Sequence, residues 1–215
     1  MDLQAILRVA SEQLEGRSSH DFKERGNKFH HGQRVAKLAV HLRELLFPND
    51  GARDDVLTAA AWLHDVCNGE KDHGELGAEL TRKLIAAYCT EGELDELCEL
   101  IRVHDERKPE SGYSDAIKLL QDADMLDHFG TNFIWVWFAY AVPLGQNAYD
   151  AREWQRGNAE RAERHRNQLN FDLSRRIFDD KQAFVAQFAE RFSAELDGEI
   201  WDEKTILNET FGGAL

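Results

Sequence analysis

The sequence is short of proline, cysteine and positive charge. Its three prolines and scarcity of β-branched runs favour an all-α fold over a sandwich. The three cysteines, Cys67, Cys89 and Cys98, are odd in number and lie in apolar helical stretches. That pattern excludes a disulfide framework, and the spacing matches no zinc motif, so they read as core thiols of a reducing compartment. Lys and Arg number 26 against 40 Asp and Glu, a net charge of −14, which argues against a DNA or RNA polymer as partner. A small anionic substrate remains compatible, because a bound cation and a few local basic residues reverse the field where they sit. The longest uncharged run, 129–147, is broken by Pro143 and two glycines and makes a poor membrane span. Met1-Asp2-Leu3 starts acidic and amphipathic rather than as a secretory signal, so the expected location is the cytoplasm. There is no glycine-rich phosphate loop of the form GxxxxGK[ST].

A chain of 215 residues fits one domain with a full core. Apolar spacing predicts helices over 3–14, 33–46, 53–66, 75–88, 91–104, 116–129 and 132–144, with Asp115 able to cap the sixth. The polar stretch 16–32 reads as a loop that delivers His31 to the second helix. Phe133, Trp135, Trp137, Phe138 and Tyr140 make the seventh helix aromatic all round. It should be buried on at least two sides, by a C-terminal helix or by a second copy in a homodimer. Residues 150–168 are polar, and their Arg161, Arg164, His165 and Arg166 read as a solvated helix face. A last amphipathic helix carries Phe184, Val185, Phe188, Phe192 and Leu196, and the tail from Gly198 is mixed and expected to be partly disordered. The expected division is a core over 20–130, a C-terminal helical part of the same domain over 131–198, and a tail over 199–215.

The informative stretch is 55–67, DVLTAAAWLHDVC. Val56, Leu57, Ala60, Ala61, Leu63 and Val66 recur at the spacing of a core-facing helix, which then ends in His64-Asp65. Burying an imidazole and a carboxylate without partners costs several kcal/mol. The partner that suits both is a metal ion. Further donors stand on other predicted helices: His31 with its neighbour His30, Asp124 in a run with Asp122 and Asp127, and His73 and His104 between them. Asp124 and Asp127, three apart, share a helix face that Asp122 does not. A mixed set of imidazoles and carboxylates suits Mn, Fe, Co, Ni or Mg with positions left open for water. His20 and His41 are solitary and carry no expected role.

A His ahead of an Arg-Val helix (His31, Arg34, Val35), His64-Asp65 ending the next long helix, and Asp124 in Asp-Ala-Asp-x-Leu-Asp together resemble the HD superfamily of metal-dependent phosphohydrolases. The resemblance spans about residues 20 to 130. It implies one divalent metal on His31, His64, Asp65 and Asp124, with Asp127 orienting a ligand or a water. It also implies that His73 and His104 either hold a second ion or act on the substrate. The activity implied is hydrolysis of a phosphoester or phosphoanhydride in a small molecule, a nucleotide above all. In that scheme Asp65 serves the metal, Lys71 offsets charge in the transition state, and His73 or His104 protonates the leaving oxygen. Phosphate recognition falls to Lys71, Arg34 and Arg107. Two other readings use the same residues: a dinuclear iron oxygenase with six ligands, and a metal or nucleotide sensor without turnover.

Overall fold

The computed structural model describes residues 1–18, 24–108, 112–156 and 158–211. His20 lies outside them. Among the described residues the chain is helical, without named strands. The first six helices are α1 (Leu3–Leu14), α2 (Asn27–Leu46), α3 (Asp54–Leu63), α4 (His73–Ile85), α5 (Glu91–Arg102) and α6 (Asp115–Asp127). They are followed by α7 (Thr131–Ala141), α8 (Ala148–Arg156), α9 (Asn158–Asn167), α10 (Asp172–Leu196) and α11 (Glu203–Phe211). A short 3-10 turn, Ala86–Tyr88, closes α4. No described helix is long and apolar enough to cross a membrane.

The core forms where α2 lies along α3 and α6, and α5 packs on α3 and α4. Val35, Ala39 and Leu42 of α2 meet Val56, Ala60 and Leu63 of α3 in one buried cluster that also takes Leu97, Ile101, Leu120 and Leu126. Small residues let these helices approach closely. A methyl group on Gly32 would stand 3.0 Å from the carbonyl oxygens of Ala61 and Trp62, and one on Gly74 only 2.5 Å from that of Arg102. Backbone oxygens cannot give way as a flexible side chain does. Each glycine directly follows a histidine, so the first crossing carries His31 to the end of α3 and the second carries His73 to the end of α5.

Several boundaries differ from the sequence reading. α2 starts at Asn27, about two turns early, behind Gly26 in a left-handed conformation (φ 71°) with no side-chain cap. Phe29, packed against the core, offsets the polar residues around it. His31 is therefore inside the helix, and Lys28 and His31 stand one turn apart on its face. α3 stops at Leu63, and Arg17 donates to the carbonyls of Val66 and Asn68 (2.5 and 3.1 Å) in the turn beyond. Ser114, not Asp115, caps α6, its hydroxyl accepting from the Ile117 N–H. The polar stretch 150–168 is divided between α8 and α9, and the expected disordered tail includes α11.

The aromatic helix splits its rings. Phe133 and Trp137 are buried, and Trp137 meets Phe188 and Phe192 of α10 edge-on. Trp135 is 57% exposed, and the other four rings are buried or half-buried, in keeping with the expectation. Consecutive residues turn through about 100°, so α8, whose Ala151 carbonyl accepts from the Trp137 indole at 2.7 Å, and α10 cover the helix from two sides and leave the side of Trp135 open.

The C-terminal helices are tied to the core through Asp122. This fully buried carboxylate accepts from the backbone N–H groups of Asn170 and Phe171 (2.8 and 3.1 Å) and from the Asn170 amide (2.9 Å). Asp122→Ala orphans those donors and is expected to destabilise the chain by about 1–3 kcal/mol. The Tm should fall by about 2–4 °C for each kcal/mol. Thermal unfolding followed by circular dichroism measures it, and metal content should not change.

Candidate metal centre

Five helices meet at one cluster. α2 supplies His31, the end of α3 supplies His64 and Asp65, α6 supplies Asp124, and the facing ends of α4 and α5 supply His73 and His104. His31, His64, Asp65, Asp124 and His104 are each no more than 5% exposed, and the His73 side chain is 21% exposed. His31 Nε2 lies 3.1 Å from Asp124 Oδ1, 3.2 Å from His64 Nε2 and 3.9 Å from Asp65 Oδ2. His73 Nε2 and His104 Nε2 are 3.2 Å apart, and His104 Nε2 is 3.9 Å from Asp65 Oδ1. The two carboxylate oxygens of Asp65 thus face different histidine pairs.

The other ring nitrogens are already engaged. His31 Nδ1 meets Asp127 Oδ2 at 2.8 Å, His64 Nδ1 donates to Ala61 O at 2.8 Å, and His104 Nδ1 donates to Ile101 O at 2.7 Å. Such bonds fix the tautomer and turn the Nε2 lone pairs inward. Inward lone pairs facing each other at 3.2 Å repel unless positive charge stands between them. The donor set therefore fits a cation: His31, His64 and Asp65 form one cluster able to hold a metal, and Asp65, His73 and His104 form another.

The surroundings supply charge as well. Burial pushes the His31 imidazole down, but hydrogen bonds to Asp124 and Asp127 outweigh it and raise it to about 9. A metal at Nε2 takes the place of that proton. His104 is held down at about 4 by its burial and by His64. Burial raises the Asp65 carboxyl, yet His64, Lys28 and His31 hold it far below the usual range. Asp127 is depressed to about 2 by His31 and Arg34, against its burial. Arg34 grips Asp127 with two bonds, at 2.8 and 2.9 Å.

Some expected residues stand apart. Lys71 is exposed and, among the described residues, makes no hydrogen bond or ion pair. Its neighbour Asp72, in a left-handed conformation (φ 58°), turns the chain into α4 there. The lysine that reaches the cluster is Lys28, 2.6 Å from Asp65 Oδ2. Arg107 donates to Gln121 O at 2.7 Å and pairs with Asp124. His30 is exposed and Asp122 is engaged elsewhere, so neither joins the cluster. His128 does: its Nε2 is 3.3 Å from Asp124 Oδ1, and its ring lies 4.8 Å from that of His31. Lys28 precedes His31 by one turn and His128 follows Asp124 by one turn, so helical spacing from the two ligand candidates would have found both.

A cleft of about 670 Å³ reaches the cluster from the side of Lys28, His31, Asp127 and His128. Its other wall is the open face of α7, with Arg161 and His165 of α9 at the rim. The basic group of α9 is therefore divided: Arg166 pairs outward with Asp179, while Arg161 and His165 face the cleft.

Residues 29–129 match the family model described as HD domain. No curated protein matches the chain. Among solved structures, an HD-superfamily hydrolase from Bacillus thuringiensis matches with a TM-score of 0.69 at 23% identity, over 92% of this chain and 97% of its own. YpgQ from Bacillus subtilis, in complex with ADP, matches with a TM-score of 0.62 at 21% identity, over 92% and 99%. A protein from Lactobacillus plantarum matches with 0.61 at 23%, over 92% and 97%.

Proposed function

We propose, because this chain belongs to the HD-domain superfamily through residues 29–129, that it is a metal-dependent phosphohydrolase of small phosphate esters or anhydrides, with nucleotides as the substrate class. The observation that carries the reading is the Asp65 carboxylate, set with one oxygen toward His31 and His64 and the other toward His104. The ADP bound by YpgQ supports the substrate class. In this reading His31, His64, Asp65 and Asp124 hold one divalent ion, and Asp65, His73 and His104 hold a second. Such ions activate a water near neutral pH and take up charge on phosphoryl oxygens.

The chain's own groups do the rest. Asp127 fixes the His31 ring through Nδ1, and Asn68 steadies Asp65 by donating to Oδ1 at 3.1 Å. Lys28, Arg34 and Arg107 line the cleft next to the carboxylates and offset charge on a phosphate brought there. His104 is 2% exposed and its Nδ1 is committed, which favours a ligand over a proton donor. His128 opens on the cleft and is the better placed imidazole to hand a proton to the leaving oxygen. The six donors would also serve a dinuclear iron oxygenase, and that alternative requires bound iron and O2 consumption.

The test is to strip the chain of metal, reload it separately with Mn, Fe, Co, Ni and Mg, and follow phosphate release from nucleoside mono-, di- and triphosphates. Metal-dependent release is expected, without O2 uptake. No release with any metal would overturn the reading. Within the same assay, Lys28→Ala should lower activity about 10- to 100-fold, the usual range for a group that supports a metal ligand. Lys71→Ala should leave the rate near that of the parent.

A further inference from the structure

The cleft joins two unlike surfaces. Its lining carries Arg17, Lys28, Arg34, Arg107 and Arg161 against Glu24 and Asp127, in a chain whose net charge is −14. Basic residues gathered in one concavity of an acidic protein focus the field on an anion. The facing wall is aromatic: Phe133, Trp135, Trp137 and Tyr140 all line it. Trp135 is 57% exposed, although its indole N–H is held by Glu24 Oε2 at 3.3 Å, across from α7 to the approach of α2. Glu24 also accepts from Asn27 (3.0 Å), so the contact anchors the Trp135 edge beside the first turn of α2. An indole fixed by its edge and open at its face is a stacking platform.

We infer that Trp135 is a specificity-determining residue that stacks the flat heteroaromatic base of a nucleoside phosphate while the phosphates lie at the cationic end. The inference rests on the phosphohydrolase reading and names the part of the substrate that the metal centre does not touch. A cleft of about 670 Å³ falls in the range that encloses a ligand of this size. A phosphate ester without a ring has nothing to place on the α7 wall.

Trp135→Ala and Trp135→Phe are compared with the parent on ADP and on inorganic pyrophosphate, which offers the same anhydride without a base. Loss of one base–aromatic stack weakens binding by about 1–3 kcal/mol, so KM for ADP should rise roughly 5- to 150-fold in Trp135→Ala. Its kcat should hold, KM for pyrophosphate should not move, and Trp135→Phe should recover most of the loss. Because the side chain is exposed, the Tm should match the parent. Equal loss on both substrates, or no change on ADP, overturns the inference while leaving a hydrolase intact. A parent that hydrolyses neither compound puts the failure in the phosphohydrolase reading, and calorimetric titration with ADP then decides for Trp135: unchanged affinity in Trp135→Ala overturns its role.

Discussion

Asp65→Ala is expected to leave a folded chain that binds no stoichiometric metal and hydrolyses nothing measurably, a loss beyond about 10³-fold. Losing a single electrostatic donor costs about 10²–10³ in rate, and this substitution removes more than one donor. In the proposed arrangement each oxygen of Asp65 belongs to a different ion, so both seats lose a charged ligand at once. It also strands Lys28, whose ammonium is 2.6 Å from Oδ2, inside the cluster, adding a like charge to any approaching cation. Asp65→Asn keeps the shape and loses the charge, and it should fail nearly as badly. Elemental analysis of the purified variants beside the nucleotide assay tests this, with circular dichroism to establish folding. A variant that keeps its metal and its rate would remove Asp65 from the centre.

The second large effect separates the two seats. His104→Ala takes a donor from the Asp65–His73–His104 group and leaves the donors His31, His64 and Asp124 in place, although its ring packs edge-on against His64 at 5.0 Å. Metal content should fall by about half, and hydrolysis by roughly 10²–10³, as for loss of one transition-state donor. Gly74→Ala should act in the same direction without changing any donor. Its methyl group would stand 2.5 Å from Arg102 O, so α4 must move off the end of α5 and carry His73 away from His104. Overpacking of this kind typically costs about 1–3 kcal/mol, which thermal unfolding reads directly. Full metal content in His104→Ala together with reduced turnover would instead assign His104 to the substrate.

Much of the fold and of the centre is legible in the sequence. The all-α class follows from composition, and the 55–67 stretch stands out because a buried imidazole and carboxylate at the end of an apolar helix need a partner. The resemblance selected His31 over His30 and Asp124 over Asp122, and those are the residues that the fold brings together. The cationic support was harder to read. Lys71 is near Asp65 in sequence, but the left-handed turn at Asp72 leaves it on the surface. Lys28 sits in a polar stretch that looks like a loop, and its position depends on a helix start enforced by tertiary packing of Phe29. Gly32 and Gly74 matter through close helix crossings, which periodicity does not encode. The open side of α7 is likewise hidden, because an all-aromatic helix does not show which of its sides the neighbouring helices leave uncovered.

If the Asp65 carboxylate serves two ions, bound ions and activity must rise together. Metal-stripped protein is titrated with Mn2+, and bound equivalents per chain are measured alongside ADP hydrolysis. Two equivalents are expected in the parent, with turnover complete only on the second, and none bound tightly in Asp65→Ala. Full turnover at one equivalent, or two equivalents retained without Asp65, would contradict it.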